Sequence, residues 1–386
     1  MRAAEVAVLS GARLPRSLHP VAWWLWAIAL ATAASRTSNP LLLALIFAVL
    51  GLVVTARRGD APWARAFRYY LYLALVVVGI RVLFRIVFGT GVTADDHVLL
   101  TLPQLSTPDW YAGIQLGGAV SVEAVLSAAV DGMRLACLLC CIGAANTLAN
   151  PKRALRVLPG ALYELGVAVT VALSVAPQLV ESVQRVAKAR RLRAGRARGI
   201  RALPAIAIPV LHDALDRSLR LAAAMDSRGY GRTGTATPSS RRITGVLMLS
   251  GMAGLCVGVY GLLDPTVPRP LGLGGLAAGT LACAAGLVLG GRRVSRTRYR
   301  PDPWRWPEWA VAVGGTLAAV VLAAGTGYDP AALNPSLHPL QWPTLPPLPA
   351  AAILLAAVAA FAAPPPPPAG PARITAPARE PAVDPV

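Results

Sequence analysis

Eight stretches of this sequence, 21–35, 41–56, 69–88, 122–149, 243–263, 271–290, 308–326 and 348–363, are apolar over a length at or near that of a bilayer core. A segment lying in hydrocarbon must satisfy its backbone donors and acceptors internally, so runs of this kind predict helices. The fold class expected is all-α, a polytopic helical membrane protein. Composition agrees: 55% of the 386 residues are hydrophobic and 14% charged, against roughly a quarter charged in a soluble domain. The first run is thickened by Trp23, Trp24 and Trp26 and leads directly into a second. It lacks the short core and small-residue cleavage site of a signal peptide, and is expected to stay in the mature protein.

Runs one and two are joined by Arg36-Thr37-Ser38-Asn39-Pro40, a tight turn that makes them a hairpin. Loop charge then gives the orientation. Arg57, Arg58, Arg65 and Arg68 crowd the connection after run two, while residues 89–121 hold Asp95, Asp96 and Asp109 with no lysine or arginine. The basic connection is expected in the cytoplasm, with the N-terminus, and the acidic one outside. Residues 151–242 carry 17 Lys and Arg against five Asp and Glu, +12 of the chain's +19. They begin and end on the cytoplasmic side by parity. Within them 161–177 is apolar, and a single crossing there would place the arginines of 185–201 outside; it is read as a helix lying in or dipping into the inner interface.

The organisation expected is therefore N-terminal transmembrane helices over 1–149, a cytoplasmic module over 150–242, a further hairpin over 243–290, and a basic loop with the last transmembrane helices over 291–363. A Pro- and Ala-rich tail over 364–386 cannot bury a core and is expected to be disordered.

Several chemistries are excluded. The two lysines, Lys152 and Lys188, stand in no glycine-rich loop before Ser or Thr, so the chain lacks a phosphate-cradling nucleotide site and is not itself an ATPase. His19, His97, His212 and His338 are scattered, and Cys137, Cys140, Cys141, Cys256 and Cys283 lie inside apolar runs with no His or carboxylate at ligand spacing. No metal site, cofactor, disulfide framework or enzyme activity is expected. Nucleic acid is not a partner either, because no aromatic residues are interleaved with the basic ones. The deepest charges are Arg81 and Arg85 on the third run and Glu123, Asp131 and Arg134 on the fourth. They form either an internal ion pair that steadies packing or a surface facing a transported molecule or partner.

The basic module reads as two helices. In 209–232 the residues Leu211, Ala214, Leu215, Leu219, Ala222 and Met225 recur at three- and four-residue steps, opposite Asp213, Asp216, Arg217 and Arg220. This amphipathic helix ends in Arg228 and Gly229, a glycine suited to the left-handed residue that closes a helix. A second basic element, 181–199, places Val183, Val186 and Ala187 on one side and also ends in arginine and glycine. Taken as physics alone, both could lie on anionic lipid of the bilayer.

Ala224-Met225-Asp226-Ser227-Arg228-Gly229-Tyr230 resembles the Ala-Met-Glu-Ala-Arg-Gly-Tyr pattern of the transmembrane (T) components of energy-coupling factor (ECF) transporters, the family that includes the CbiQ cobalt-transport permeases. Asp226 stands for Glu and Ser227 for Ala. Leu18-His19-Pro20 and Thr37-Ser38-Asn39-Pro40 match the family's opening. The family's first motif is represented either by Arg193, followed by Ala194, or by Ala197-Arg198-Gly199. The resemblance covers about 15–242 and resumes at Thr297-Arg298-Tyr299-Arg300 and the span after it, which makes 243–290 an inserted hairpin.

The resemblance implies cytoplasmic amphipathic coupling helices and a role without catalysis in this chain. Two ATP-binding-cassette ATPase subunits would each hold one helix end, one at Arg228 with Gly229, Ala224 and Asp226, the other at Arg193 or at Arg198 with Gly199. Their closure on ATP would tilt a membrane-embedded substrate-binding (S) subunit that takes up a vitamin or metal ion across the bacterial plasma membrane. Two other classes stay open on the residues: a self-contained secondary transporter or channel whose basic helices are surface anchors, and a membrane enzyme acting on lipid or isoprenoid substrates. Asp213 and Asp216 serve the second poorly, since neither has a neighbouring metal ligand.

Overall fold

The computed structural model describes residues 16–59, 66–88, 97–105, 116–192, 203–230, 238–264, 266–292, 303–325, 328–336 and 340–366. In order these form α1 (Pro20–Ser35), α2 (Pro40–Arg57), α3 (Phe67–Val87), β1 (Val98–Leu105), β2 (Leu116–Ser121), α4 (Val122–Leu148), α5 (Pro151–Arg156), α6 (Tyr163–Leu192), α7 (Leu203–Asp226), α8 (Pro238–Leu263), α9 (Arg269–Gly291), α10 (Trp306–Ala324), α11 (Pro330–Leu333), α12 (Pro347–Ala356) and α13 (Ala359–Ala362). The protein is an all-α polytopic membrane protein. Among the described residues seven helices are long and apolar enough to cross a membrane: α2, α3, α4, α6 with its leading turn, α8, α9 and α10. Of the expected tail, residues from 367 onward lie outside the described set.

The chain divides into two compact units, 1–154 with 302–386, and 155–301. In the first, α1 and α2 each open on a proline, whose fixed φ suits the first helical position and whose missing N–H has no partner to lose there. α1 packs on α10 and α4, α2 on α4 and α12, and α3 lies along α4. The shared core is Trp26, Leu30, Leu42, Ile46, Leu50, Val53, Val311 and Ile353, joined by Cys137, Cys140 and Cys141, so these thiols pack as small hydrophobes. Two glycines allow the close approaches. A Cβ on Gly315 would lie 2.8 Å from Trp26 Cα, and one on Gly143 2.8 Å from Tyr70 Cβ.

Polar side chains tie the N-terminal hairpin to the C-terminal segment. The Thr37 hydroxyl donates to the Leu333 carbonyl (2.7 Å), and the Asn39 amide donates to the carbonyls of Ala332 (2.8 Å) and Thr344 (2.7 Å). Asn39 also caps α2 by accepting from Leu41 N–H at 3.0 Å. Trp26 Nε1 donates to the Ala356 carbonyl at 3.1 Å, and Arg16 pairs with Glu308, which is 1% exposed.

Segment 89–121 was expected only as an acidic external connection, yet β1 and β2 pair antiparallel within it, Val98 opposite Ser121 and Leu102 opposite Gly118. The β-branched Val98 and Thr101 favour a strand in β1, and Gly117 and Gly118 supply the positive φ values of 87° and 121° in β2. His97, just before β1, is bonded to Glu123 in the first turn of α4, through its backbone N–H (3.1 Å) and ring Nδ1 (2.8 Å).

In the second unit α8 and α9 form an antiparallel hairpin so tight that glycines meet backbone: a Cβ on Gly279 would stand 2.5 Å from Leu255 N and 2.8 Å from Gly254 C. α6 differs from the sequence reading, which divided it into an interfacial helix over 161–177 and a separate basic element from 181. The two are one continuous helix of 30 residues with Pro177 inside. Proline fixes φ near the helical value and costs the bond to the carbonyl of Leu173, a loss one helix can absorb without stopping.

Candidate functional site

The two basic helices lie side by side in the second unit. α6 carries Ser182 on the flank that meets α7. The Ser182 hydroxyl, 3% exposed as a residue, donates to Asp213 Oδ2 at 2.8 Å. Arg217 holds the same carboxylate from one turn on, Nε to Oδ1 at 3.1 Å and Nη2 to Oδ2 at 2.9 Å, and reaches back to Gln178 Oε1 at 3.2 Å. The Ser182 hydroxyl and the Arg217 guanidinium hold the Asp213 carboxyl below its usual range, since both favour the ionised form. The Asp213–Arg217 pair was visible as an i,i+4 spacing. Its anchor Ser182, 31 residues away, left no signal in the sequence.

Among the described residues the apolar face of α7 is exposed: Leu211, Leu215 and Leu219 are 60%, 51% and 68% exposed. Its end is built by a complete Schellman motif. Tyr230 N–H donates to the Met225 carbonyl (3.0 Å) and Gly229 N–H to the Asp226 carbonyl (2.9 Å), with Gly229 at φ 75°. The first and last residues of the motif, Met225 and Tyr230, also face one cavity of about 290 Å³, walled opposite by Arg156, Tyr163, Gly166 and Thr170. Arg228 is the residue immediately before the left-handed glycine. It is exposed and borders the same cavity. Geometry thus brings Ala224, Asp226, Arg228 and Gly229 together at one helix end. Arg193, Arg198 and Gly199 lie outside the described residues, which stop on this helix at Leu192.

The deep charges separate. Arg134 donates to the Ser35 carbonyl at the end of α1, satisfying one of that helix's last carbonyls. Asp131 instead lines a cavity of about 260 Å³ with Arg81 and Arg85 of α3. Among the described residues no ion pair joins Asp131 to Arg134, and no three His, Cys, Asp or Glu side chains come together in a way that would hold a metal ion.

No curated protein matches the chain. The family model for CbiQ, described as cobalt transport protein, matches residues 11–238, from before α1 to the first residue of α8. That match spans more than half of the sequence, including the Thr37–Asn39 turn and the whole of α6 and α7. The chain belongs to the CbiQ family of cobalt transport proteins, as a multi-pass membrane component.

Proposed function

We propose that this chain is the transmembrane coupling subunit of an ECF-type importer in the bacterial plasma membrane. Two ATP-binding-cassette ATPases would grip its basic helix ends, Arg228 with Gly229 in one and Arg193 or Arg198 with Gly199 in the other. Their motion on ATP binding would pass through α6 and α7 to an S subunit that holds the cargo, cobalt or another ion or vitamin. The observation carrying this reading is the end of α7: a glycine-closed terminus that sets Arg228 at a surface, on a helix whose apolar face is exposed among the described residues. A planar guanidinium at such a position pairs bidentately with a carboxylate on a partner, and truncating one member of a buried interfacial pair costs about 2–5 kcal/mol. The Ser182–Asp213–Arg217 network makes the two helices a linked pair, as transmission of force requires.

The test is co-purification from membranes of tagged wild type beside Arg228→Glu and the Arg193→Glu/Arg198→Glu double variant, with ATPase subunits probed in each. ATPases retained by wild type and lost by both variants, all inserting equally, are the expected result. Full retention by Arg228→Glu overturns the docking role and returns the helices to a lipid-anchoring one.

A further inference from the structure

α3 is a lipid-facing helix by its surface: Leu75, Val76, Ile80 and Leu83 are all exposed, and hydrocarbon is the solvent that such a surface suits. Two arginines interrupt it, Arg81 and Arg85, one turn apart. Arg85 lies two residues and Arg81 six residues before the helix end, about 3 and 9 Å along the axis. Charges at this depth are costly and are retained where they meet a counter-charge. Their neighbours across the cavity are Asp131 and Ser127 of α4, and at its rim Phe84 and Phe88 stack with ring centroids 5.3 Å apart. Among the described residues the Nε of Arg85 is buried with no hydrogen-bond partner. A guanidinium nitrogen turned inward without an acceptor, beside a cavity bearing a second guanidinium, marks a place for an oxyanion.

We infer that this cavity between α3 and α4 binds the headgroup of a phospholipid, its phosphodiester held by Arg81 and Arg85 and its ammonium, in an ethanolamine lipid, by Asp131 and Ser127. The chemistry of each wall fits one part of that ligand. Two guanidiniums one turn apart span the two non-bridging phosphate oxygens, as arginine does for phosphate generally. A carboxylate and a hydroxyl accept from a primary ammonium, whose donors need acceptors once water is excluded. Phe84, Phe88 and the apolar stripe below them give the glycerol and acyl chains a surface to lie against. A water-soluble phosphodiester would use the first two walls and gain nothing from the third, which is why the bilayer is the source assigned. Binding of a headgroup here depends on no role of α6 or α7.

The experiment is native mass spectrometry of the full chain, purified in detergent and titrated separately with dioleoyl phosphatidylethanolamine and dioleoyl phosphatidylglycerol, with glycerophosphoethanolamine as the soluble arm. Wild type should retain the ethanolamine lipid in preference to the glycerol lipid. Arg81→Gln/Arg85→Gln should lower affinity for both by about tenfold or more, the loss expected for charge-assisted hydrogen bonds. Asp131→Asn should abolish the preference for ethanolamine while keeping phosphatidylglycerol binding. Unchanged lipid retention in the double arginine variant overturns the site, and soluble headgroup binding as tight as the lipid overturns the bilayer as its source. If the double variant does not purify as a monodisperse protein, Asp131→Asn alone decides: an unchanged lipid preference sinks the assignment.

Discussion

Gly229 sits at φ 75°, where a Cβ is strained, and its N–H closes the Schellman motif that ends α7 beside Arg228. Gly229→Val should therefore cost the helix end about 1 kcal/mol or more and swing the following backbone. The expected outcome is partial loss of ATPase co-purification with insertion unchanged; equal recovery with wild type would separate helix closure from docking. Asp213 makes a second residue-scale prediction. Its carboxyl is held low in the folded chain, so its contribution is present above the unfolded value of about 4 and fades as pH falls through the folded one. Asp213→Asn should lower the thermal midpoint at pH 7 by a small amount, because the Arg217 pair is about one-third exposed and screened. The gap between variant and wild type should narrow below about pH 4; a gap constant with pH would remove the carboxylate from the account. At this scale the sequence was half legible. Arg228 and Gly229 announced a helix end through their order alone, and Asp213 and Arg217 were placed on one polar face without being paired. Ser182 could not, since a hydroxyl's partner across 31 residues is a property of packing.

At the scale of elements, apolar length located α1 to α4, α8 to α10 and α12, because a backbone in hydrocarbon has few alternatives to helix. α3, α4 and α8 to α10 begin and end within a few residues of the apolar runs that foretold them. Two features escaped, the β1–β2 pair and the continuity of α6. β1 and β2 lie in a stretch whose apolar residues are too few to span, where strand and loop differ only in pairing. The unbroken α6 contradicts the weight usually given to an internal proline, since at Pro177 the helix continues on both sides. The α8–α9 hairpin owes its closeness to glycine: Gly254, Gly258, Gly272, Gly275 and Gly279 bring backbone against backbone, the packing by which small residues drive helix association in lipid. A Cβ on Gly258 would stand 2.7 Å from Leu276 Cα. Gly258→Leu should force the helices apart at a cost of about 1–3 kcal/mol. The thermal midpoint of the purified chain checks it: a lower midpoint for Gly258→Leu than for wild type is expected, and an unchanged one would mean that the two helices do not pack at Gly258.

For the whole molecule, the chain's order in sequence and its order in packing differ. Residues 302–386 belong to one compact unit with 1–154, although 147 residues of the other unit, 155–301, intervene. The buried polar groups of the first hairpin find their partners there: the side chains of Thr37 and Asn39, both 0% exposed, donate to the carbonyls of Leu333, Ala332 and Thr344 across the chain. Removing those carbonyls leaves buried donors unpaired, at about 1–3 kcal/mol each. Loss of the Trp26–Ala356 bond and of the Glu308 partner of Arg16 adds to it. Against a total stability of about 5–15 kcal/mol, the sum is enough to unfold the bundle. A chain truncated after Pro301 should therefore insert but fail to give a monodisperse protein. Deleting 243–290 removes two spans together, which keeps α10 and α12 in their original orientation across the membrane and leaves every one of these bonds intact. That variant should purify as a folded protein, with a C-terminal reporter on the same side as in the full chain. The opposite pattern, a stable truncation and an unstable deletion, would mean that the α8–α9 hairpin rather than the C-terminal helices completes the fold.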